Sequence, residues 1–171
     1  MAKQKYLLVR VRYDKRVASI EPLGLEYLAG VMKEKGREYV FHDEIFYSSF
    51  FRFRRIVKKI EQNNITAVCF SVMSNNADYI LKMINKLKKV KPDIKILVGG
   101  PEVNINYKDF FLDNIDFVYY DYGLDSFRIA VEHDLNVDAL EGATGIAYVK
   151  DGKWVHNPCG KPITDYDVKP D

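Results

Sequence analysis

Polar residues and glycines follow the ends of two apolar runs in this sequence. One run is followed by two serines and two asparagines, namely Ser71, Ser74, Asn75 and Asn76, and another by residues 99–102, Gly-Gly-Pro-Glu. Hydroxyl and amide groups bond an uncharged polar ligand, and adjacent glycines let another group approach the backbone. A tight turn also explains a glycine pair, and Asn76 suits a helix N-cap. Together these residue types indicate a binding site with little charge.

Metal, nucleophile and nucleotide-loop chemistries find less support. The histidines His42, His133 and His156 stand in separate segments, without a second ligand at a metal-binding spacing. Cys69 lies within an apolar run, and Cys159 lies in a polar tail with no base nearby. No G-x-G-x-x-G string occurs, no phosphoacceptor aspartate ends the third strand, and the loop after the first strand holds one serine. We therefore predict no metal ligand and no catalytic residue.

The elements that position these residues alternate between strand and helix. Apolar or alternating runs predict strands at residues 6–11, 38–43, 66–72, 94–98 and 116–120. Helical periodicity predicts helices at residues 22–32, 50–62, 77–90 and 126–132. This alternation predicts an α/β fold with a doubly wound, parallel, five-stranded sheet of flavodoxin-like or Rossmann-like order 2-1-3-4-5. The segments 12–16, 71–76, 99–102 and 120–123 would then meet at the carboxyl ends of the strands.

The last thirty residues differ from this pattern. Residues 145–150 and 153–156 predict two strands joined by an Asp151-Gly152 turn, and this hairpin either extends the sheet or lies apart from it. Beyond residue 157 the chain is polar and contains three prolines, which is typical of a linker. The expected organisation is an α/β domain at 1–142, a hairpin extension at 143–157, and a linker at 158–171 toward an absent downstream domain.

Composition excludes several classes of protein. The 171 residues are 47% hydrophobic and 29% charged, with a net charge of +2, which is ordinary for a globular domain and argues against nucleic-acid binding. Lysines at residues 82–91 have the spacing of a solvated helix face. No signal peptide is evident, and no apolar run approaches the roughly 20 residues that cross a bilayer. We expect a cytoplasmic protein with no membrane partner.

Several segments together resemble the N-terminal cobalamin-binding domain of radical S-adenosylmethionine enzymes. That family includes proteins like the anaerobic magnesium-protoporphyrin IX monomethyl ester cyclase and the cobalamin-dependent methylases. The resemblance is carried by residues 21–30, Asp43, residues 68–76 and residues 98–102. Residues 116–127 stand where the family has a Gly-Glu-Gly-Glu segment, and residues 145–158 resemble its G-(L/I)-A-Y…G…N-P hairpin.

The resemblance implies a Rossmann-like domain that holds a corrinoid. In such domains the dimethylbenzimidazole tail of cobalamin passes between strands one and three, so Ser71 and Met73 would line the tail. Gly99 and Gly100 would give the tail room. The complete set of expected cofactor-binding residues is Tyr13, Asp14, Ser71, Met73, Ser74, Asn75, Gly99, Gly100, Pro101, Glu102, Tyr120 and Gly123.

Three departures from the family pattern refine this expectation. Arg16 stands where some relatives carry a histidine that ligates cobalt, so a bound cobalamin would be base-off without a histidine ligand. Residues 121–125 lack the two glutamates of the family segment. Two cysteines cannot supply the C-x-x-x-C-x-x-C triad, so a 4Fe-4S cluster and S-adenosylmethionine would belong to an absent downstream domain. We expect a cobalamin-binding domain of a larger methyltransferase or cyclase, not catalytic alone.

Two alternatives remain at this point. The chain could be a docking or scaffold module that keeps the fold without the ligand. Its aromatic rim would then face a partner or fill the pocket, and consists of Tyr13, Tyr119, Tyr120 and Tyr122. It could also bind a small nucleotide such as FMN at the same edge. The sequence does not indicate an oligomeric state.

Overall fold

A computed structural model describes residues 3–11, 22–44, 52–121 and 123–160 of the chain. In these residues, the strands are β1 Tyr6–Arg10, β2 Tyr39–Asp43, β3 Ala67–Ser71, β4 Lys95–Gly99, β5 Phe117–Tyr119, β6 Ile146–Lys150 and β7 Lys153–His156. The helices are α1 Leu23–Glu34, α2 Arg52–Asn63, α3 Ala77–Val90, α4 Pro101–Asn106 and α5 Leu124–Glu132. Two 3-10 turns, Tyr107–Phe110 and Val137–Leu140, complete the described elements.

The strands form one sheet in the order β2-β1-β3-β4-β5-β6-β7. The first five strands are parallel and have the predicted order 2-1-3-4-5, whereas β6 and β7 are antiparallel. The predicted parallel order of five strands is confirmed, but the sheet has seven strands and is mixed, because the predicted hairpin is continuous with it. An unpaired β5 edge would leave a row of backbone groups without partners, and β6 satisfies them.

The hairpin turn has the backbone that its sequence predicts. Asp151 and Gly152 both have positive φ angles, 51° and 73°, which is the conformation that a two-residue turn of type I′ requires. The register pairs Phe117 with Tyr148 and Tyr119 with Ile146. The hairpin is thus a packed part of the sheet.

Strand side chains alternate between two hydrophobic cores, one on each face of the sheet. One core contains buried residues of α1 and α5 together with Tyr6, Leu8, Cys69 and Leu97. The other contains buried residues of α2 and α3, together with Val103 of α4. Helices therefore cover both faces, as a doubly wound fold requires.

Helix α3 has the predicted bounds, but α4 was not predicted. Helix α4 has six residues, too few for the 3.6-residue periodicity to show, and Pro101 occupies its first position. Helix α1 is followed by Gly36, whose φ of 60° is the left-handed conformation expected just past a helix end. No helix within the described ranges is long and apolar enough to span a bilayer.

Candidate functional site

A cavity of about 290 Å³ lies on the sheet face covered by α1 and α5, at the carboxyl ends of the parallel strands. Strands β3, β4 and β5 form its floor, and the first turns of the two helices form its walls. Its position agrees with the rule that ligands of open α/β sheets bind at the carboxyl ends of the strands. The resemblance placed the tail between strands one and three, but no β1 residue lines this cavity.

The strand register divides the floor into two levels. Ser71 pairs with Gly99 near the carboxyl edge, and Cys69 pairs with Leu97 two residues deeper. Tyr119, at the end of β5, also lines the cavity. The deeper level is apolar apart from the thiol, because Leu25 of α1 and Phe127 of α5 close it from the helix side.

Helices α1 and α5 are joined at the ends that lie away from the cavity. The Lys35 Nζ atom lies 3.0 Å from a Glu132 carboxylate oxygen, and the Arg128 Nε atom lies 3.7 Å from one of Glu34. The Arg37 guanidinium donates to the Val131 carbonyl at 3.0 Å. These contacts hold the carboxyl ends of the two helices together and leave the space between their amino ends as the cavity.

Glycines around the cavity serve different purposes. A Cβ added to Gly24 of α1 would meet no atom within 4 Å, although Gly24 lines the cavity. A Cβ on Gly99 would make ordinary contacts with Tyr119, at 3.4 Å from its carbonyl oxygen. Glycine in a helix costs about 0.5–1 kcal/mol relative to alanine, and no protein atom requires it at Gly24. Because Gly24 and Gly99 have no side chains, the space beside their α-carbons is part of the cavity.

Gly100 has another role. Its φ is 113°, and an added Cβ would lie 2.7 Å from the Val72 carbonyl oxygen and 2.9 Å from the Val72 nitrogen. The Val72 N–H donates to the Gly99 carbonyl at 2.7 Å, and the Glu102 N–H donates to the Val72 carbonyl at 3.2 Å. Gly100 lines the cavity, but the Val72 backbone occupies the space beside its α-carbon where a side chain would begin.

The loop after β3 bonds to α4 rather than into the cavity. The Ser74 hydroxyl donates to the Glu102 carboxylate, and the Asn106 amide donates to the same carboxylate at 2.7 Å. These bonds lower the pKa of Glu102, first through Ser74 and then through Asn106, because they stabilise its charged form. Ser74 and Glu102 thus tie the loop after β3 to helix α4.

Asn76 precedes α3 but does not cap it through its side chain. The side-chain Oδ1 atom of Asn76 accepts a hydrogen bond from the Met73 N–H at 2.9 Å. The side-chain Nδ2 atom donates to the Val11 carbonyl at 3.4 Å. Asn76 is buried, so these bonds satisfy both ends of its amide. The side chain holds the β3 loop against the end of β1 instead of the predicted cap.

Tyr120 does not face the cavity. It is 1% exposed in the core on the other face of the sheet, and its ring stacks on Tyr107 at 4.3 Å between centroids. Its hydroxyl donates to the carbonyls of Ile146, at 3.1 Å, and of Asn157. Side chains alternate along a strand, so Tyr119 and Tyr120 point to opposite faces. The prediction that Tyr120 belongs to the binding rim is corrected.

The structure brings four predicted site residues together at the cavity: Ser71, Gly99, Gly100 and Gly123. Met73, Ser74, Asn75, Pro101, Glu102 and Tyr120 do not line it. Tyr13 and Asp14 lie outside the described residues, as does Tyr122. Gly123 is closely packed, since an added Cβ would lie 3.1 Å from both the Gly145 oxygen and the Tyr119 Cβ.

Sequence reasoning missed most of the helix side of the cavity. The additional lining residues include Gly24, Leu25, Leu28, Asn104, Leu124 and Phe127. A signal exists for Gly24, because it is a glycine within a segment of helical periodicity. The leucines and the phenylalanine match ordinary core periodicity, so nothing in their spacing distinguishes a cavity wall from a packed helix face.

The titratable groups near the floor are held in their neutral forms. Burial raises the pKa of Cys69 and of Tyr119 well above their ordinary values. The hydroxyls of Tyr119 and Tyr6 are buried without a hydrogen-bond partner among the described residues. In the described ranges no three His, Cys, Asp or Glu side chains group as metal ligands. The cavity suits an uncharged, largely apolar group.

Comparison with known protein families identifies this architecture. A family model described as a B12 binding domain matches residues 9–131, from the last two residues of β1 through all but the last residue of α5. The chain belongs to the B12-binding domain family. The resemblance noted in the sequence is therefore confirmed, and Ser71, Gly99 and the cavity fall within the matched region of this B12-binding domain.

Solved structures share the fold at low sequence identity. The cobalamin-dependent S-adenosylmethionine radical enzyme OxsB, with aqua-cobalamin and S-adenosylmethionine bound, matches 93% of the chain at 16% identity and a TM-score of 0.67. The radical S-adenosylmethionine methyltransferase TsrM from Kitasatospora setae, with tryptophan substrate and a SAM analogue bound, matches 94% at 14% identity and a TM-score of 0.70. A TsrM structure with cobalamin and a [4Fe-4S] cluster bound matches 99% at 13% identity and a TM-score of 0.67.

The chain spans 22% of the OxsB chain and 31% of the TsrM chain. The similarity is therefore to one part of much longer enzymes. No curated protein sequence is significantly similar to the chain.

Proposed function

We propose that this B12-binding domain holds a corrinoid with its nucleotide tail in the cavity between α1, α5 and the sheet. The observation that carries the proposal is the pair of bare positions, Gly24 and Gly99, which line the cavity although no close contact with the protein excludes a side chain there. A helix glycine without a packing reason is a stability cost that a ligand would justify.

The size of the cavity fits the tail and not the macrocycle. A volume of about 290 Å³ equals about ten water molecules at roughly 30 Å³ each. That space accommodates a bicyclic heterocycle, whereas a corrin ring is much larger. The ring would then lie outside, at the carboxyl edge, where the exposed Leu23 and Met73 offer apolar surface.

A tail in the cavity has a consequence for cobalt. Its base would be withdrawn into the protein, so the corrinoid would be base-off. No histidine lines the cavity: His42 is buried on β2, and His133 and His156 belong to the end of α5 and to β7. The Arg16 position, where some relatives carry a histidine, lies outside the described residues. We propose base-off binding without a histidine ligand.

We further propose that the chain functions within a larger radical S-adenosylmethionine enzyme of methyltransferase or cyclase type, and is not catalytic alone. Its partial coverage of OxsB and TsrM supports this proposal. In this scheme residues 1–142 form the corrinoid-binding unit, 143–157 complete its sheet, and 158–171 lead toward a downstream domain that holds the 4Fe-4S cluster and S-adenosylmethionine.

The structure offers little to the alternative of a tyrosine-filled docking module. Tyr120 lies in the opposite core, and Tyr119 forms one wall of the cavity without filling it. The other alternative is a small-nucleotide binder at the same edge of the sheet. Retention of FMN or another nucleotide on purification would favour that last reading.

The test is titration of the purified chain with hydroxocobalamin and with cobinamide, which has the corrin ring but no nucleotide tail. Wild type is expected to show a corrin absorbance change and a higher melting temperature in excess cobalamin, since a ligand of the folded state stabilises it. In Gly99→Leu, the leucine side chain would enter the cavity, because its Cβ position faces Tyr119 at ordinary contact distance. We expect a tenfold or greater loss of cobalamin affinity and little change for cobinamide.

Ile105→Ala is the control, because Ile105 is 74% exposed on α4 and does not line the cavity. It should keep cobalamin affinity within about threefold. Absence of any spectral or thermal response of wild type to either corrinoid would refute the proposal. Equal cobalamin binding by Gly99→Leu and wild type would refute the placement of the tail.

A further inference from the structure

We infer that the cavity selects corrinoids whose lower base is an apolar benzimidazole over corrinoids whose lower base is a purine such as adenine. The inference rests on the proposed function and adds the chemical class of the group that the cavity accepts. The reason is that the deep level of the cavity is lined mainly by apolar side chains, whereas polar side chains lie near its mouth.

The deep level offers almost no hydrogen-bonding partner. Leu25, Leu28, Leu97 and Phe127 line it, and the Cys69 thiol is the one polar side-chain group that β3 and β4 place at that level; Tyr27 of α1 also lines the cavity. A thiol is a weak donor and a weak acceptor. Leu25, Leu28 and Phe127 belong to helices and Leu97 to a central strand, so their backbone groups are engaged in regular structure.

Polar side chains line the cavity nearer its mouth. Ser71 ends β3, Asn104 belongs to α4 beyond β4, and Asp121 follows β5, so all three stand at the carboxyl edge. The Tyr119 hydroxyl is buried without solvent contact, and the groups that act on it electrostatically are Cys69 and Tyr6, which belong to the core. Hydrogen-bonding side chains are thus available near the mouth for the ribose hydroxyls and not at the deep level for the base.

Volume does not discriminate between the two classes of base. Adenine and dimethylbenzimidazole are both bicyclic and of similar size, so each fits about 290 Å³. Adenine carries an exocyclic amino group and additional ring nitrogens, which lose their water on entry and find no partner at the deep level. One buried polar group left unsatisfied corresponds to a factor of roughly 5–150 in the binding constant.

The experiment measures the affinity of the 171-residue chain for three corrinoids: cobalamin, adeninylcobamide and cobinamide, the last as a reference without any base. We expect cobalamin to bind roughly 5–150-fold more tightly than adeninylcobamide. A variant that places an amide at the deep level, Leu28→Gln, is expected to reduce that ratio at least threefold. Leu28→Met, which keeps the wall apolar, should retain it. A ratio measured within one variant cancels general effects on the fold.

Each outcome separates the two proposals. Equal or tighter binding of adeninylcobamide overturns the selectivity and leaves corrinoid binding intact. Cobinamide binding as tightly as cobalamin shows that the cavity does not take the base, which overturns the selectivity but not corrinoid binding. Failure of all three corrinoids to bind removes the proposed function and this inference with it.

Discussion

Gly100 supports the fold, and its replacement by alanine should therefore destabilise the chain whether or not a ligand is present. Its φ of 113° and ψ of 178° lie in a region that is almost exclusive to glycine, where another residue costs about 1–3 kcal/mol. The added Cβ would also stand 2.7 Å from the Val72 oxygen, and such overpacking typically costs about 1–3 kcal/mol. The Val72 backbone cannot easily move, because both its N–H and its carbonyl are hydrogen-bonded.

Alanine also restricts the unfolded chain, which offsets about 0.4–1 kcal/mol of the loss. The expected net destabilisation of Gly100→Ala is about 3 kcal/mol, within a range of about 1–5 kcal/mol. Urea denaturation followed by circular dichroism measures it as a lower midpoint at an unchanged slope.

Gly24→Ala serves as the control, since the same chemical change in open helix surface should stabilise the chain by up to about 1 kcal/mol. If the free energy of unfolding of Gly100→Ala lies within about 0.5 kcal/mol of the wild-type value, the segments after β3 and β4 are not packed as described. The reasoning about Gly100 would then be wrong.

Two further predictions concern stability away from the cavity. Burial and the nearby Lys59 and Arg55 lower the pKa of His42 to about 4, so the unfolded state binds a proton first as the pH falls from about 6.5 to 4. The contribution of neutral His42 to the free energy of unfolding is present above about pH 6.5 and is lost toward pH 4, and about 2 kcal/mol of it disappears between pH 7 and pH 5. Urea midpoints measured at the two pH values should show a smaller loss for His42→Gln than for wild type. An equal loss in both proteins would contradict the assignment of this pH dependence to His42. Tyr120→Phe removes the hydroxyl that is hydrogen-bonded to the carbonyls of Ile146 and Asn157. It should lower the free energy of unfolding by about 1–3 kcal/mol and leave the cobalamin affinity unchanged. Unchanged stability with weaker cobalamin binding would instead place Tyr120 at the ligand.

Local pattern was sufficient for most of the secondary structure. The 14-residue helix α3 was predicted at its exact bounds because its apolar residues repeat at helical spacing along its whole length. The order of the five parallel strands also followed from the alternation of strands and helices. The six-residue α4 was missed, because one and a half turns carry too little periodicity to separate a helix from a loop.

The candidate site was predictable only in part. The sequence marked Ser71 and the Gly99-Gly100 pair, since polar residues and glycines are unusual after buried strands. It did not show that Gly99 faces the cavity whereas Gly100 faces the Val72 backbone. Ser74 and Glu102 likewise carry ligand-binding groups in the sequence but bond to each other in the structure. The two residues lie 28 positions apart in the sequence, and such pairing depends on how β3 and β4 lie side by side.

The sequence by itself determined the class of fold, the family and the presence of a low-charge edge with bare backbone. The tertiary structure decided which of two adjacent glycines has room for a side chain, which of two adjacent tyrosines lines the cavity, and whether the hairpin joins the sheet. The physical reason is that periodicity and composition are local, whereas a cavity is the space left between elements that meet from distant parts of the chain. That space depends on strand register and on the ion pairs that join α1 and α5 at their far ends.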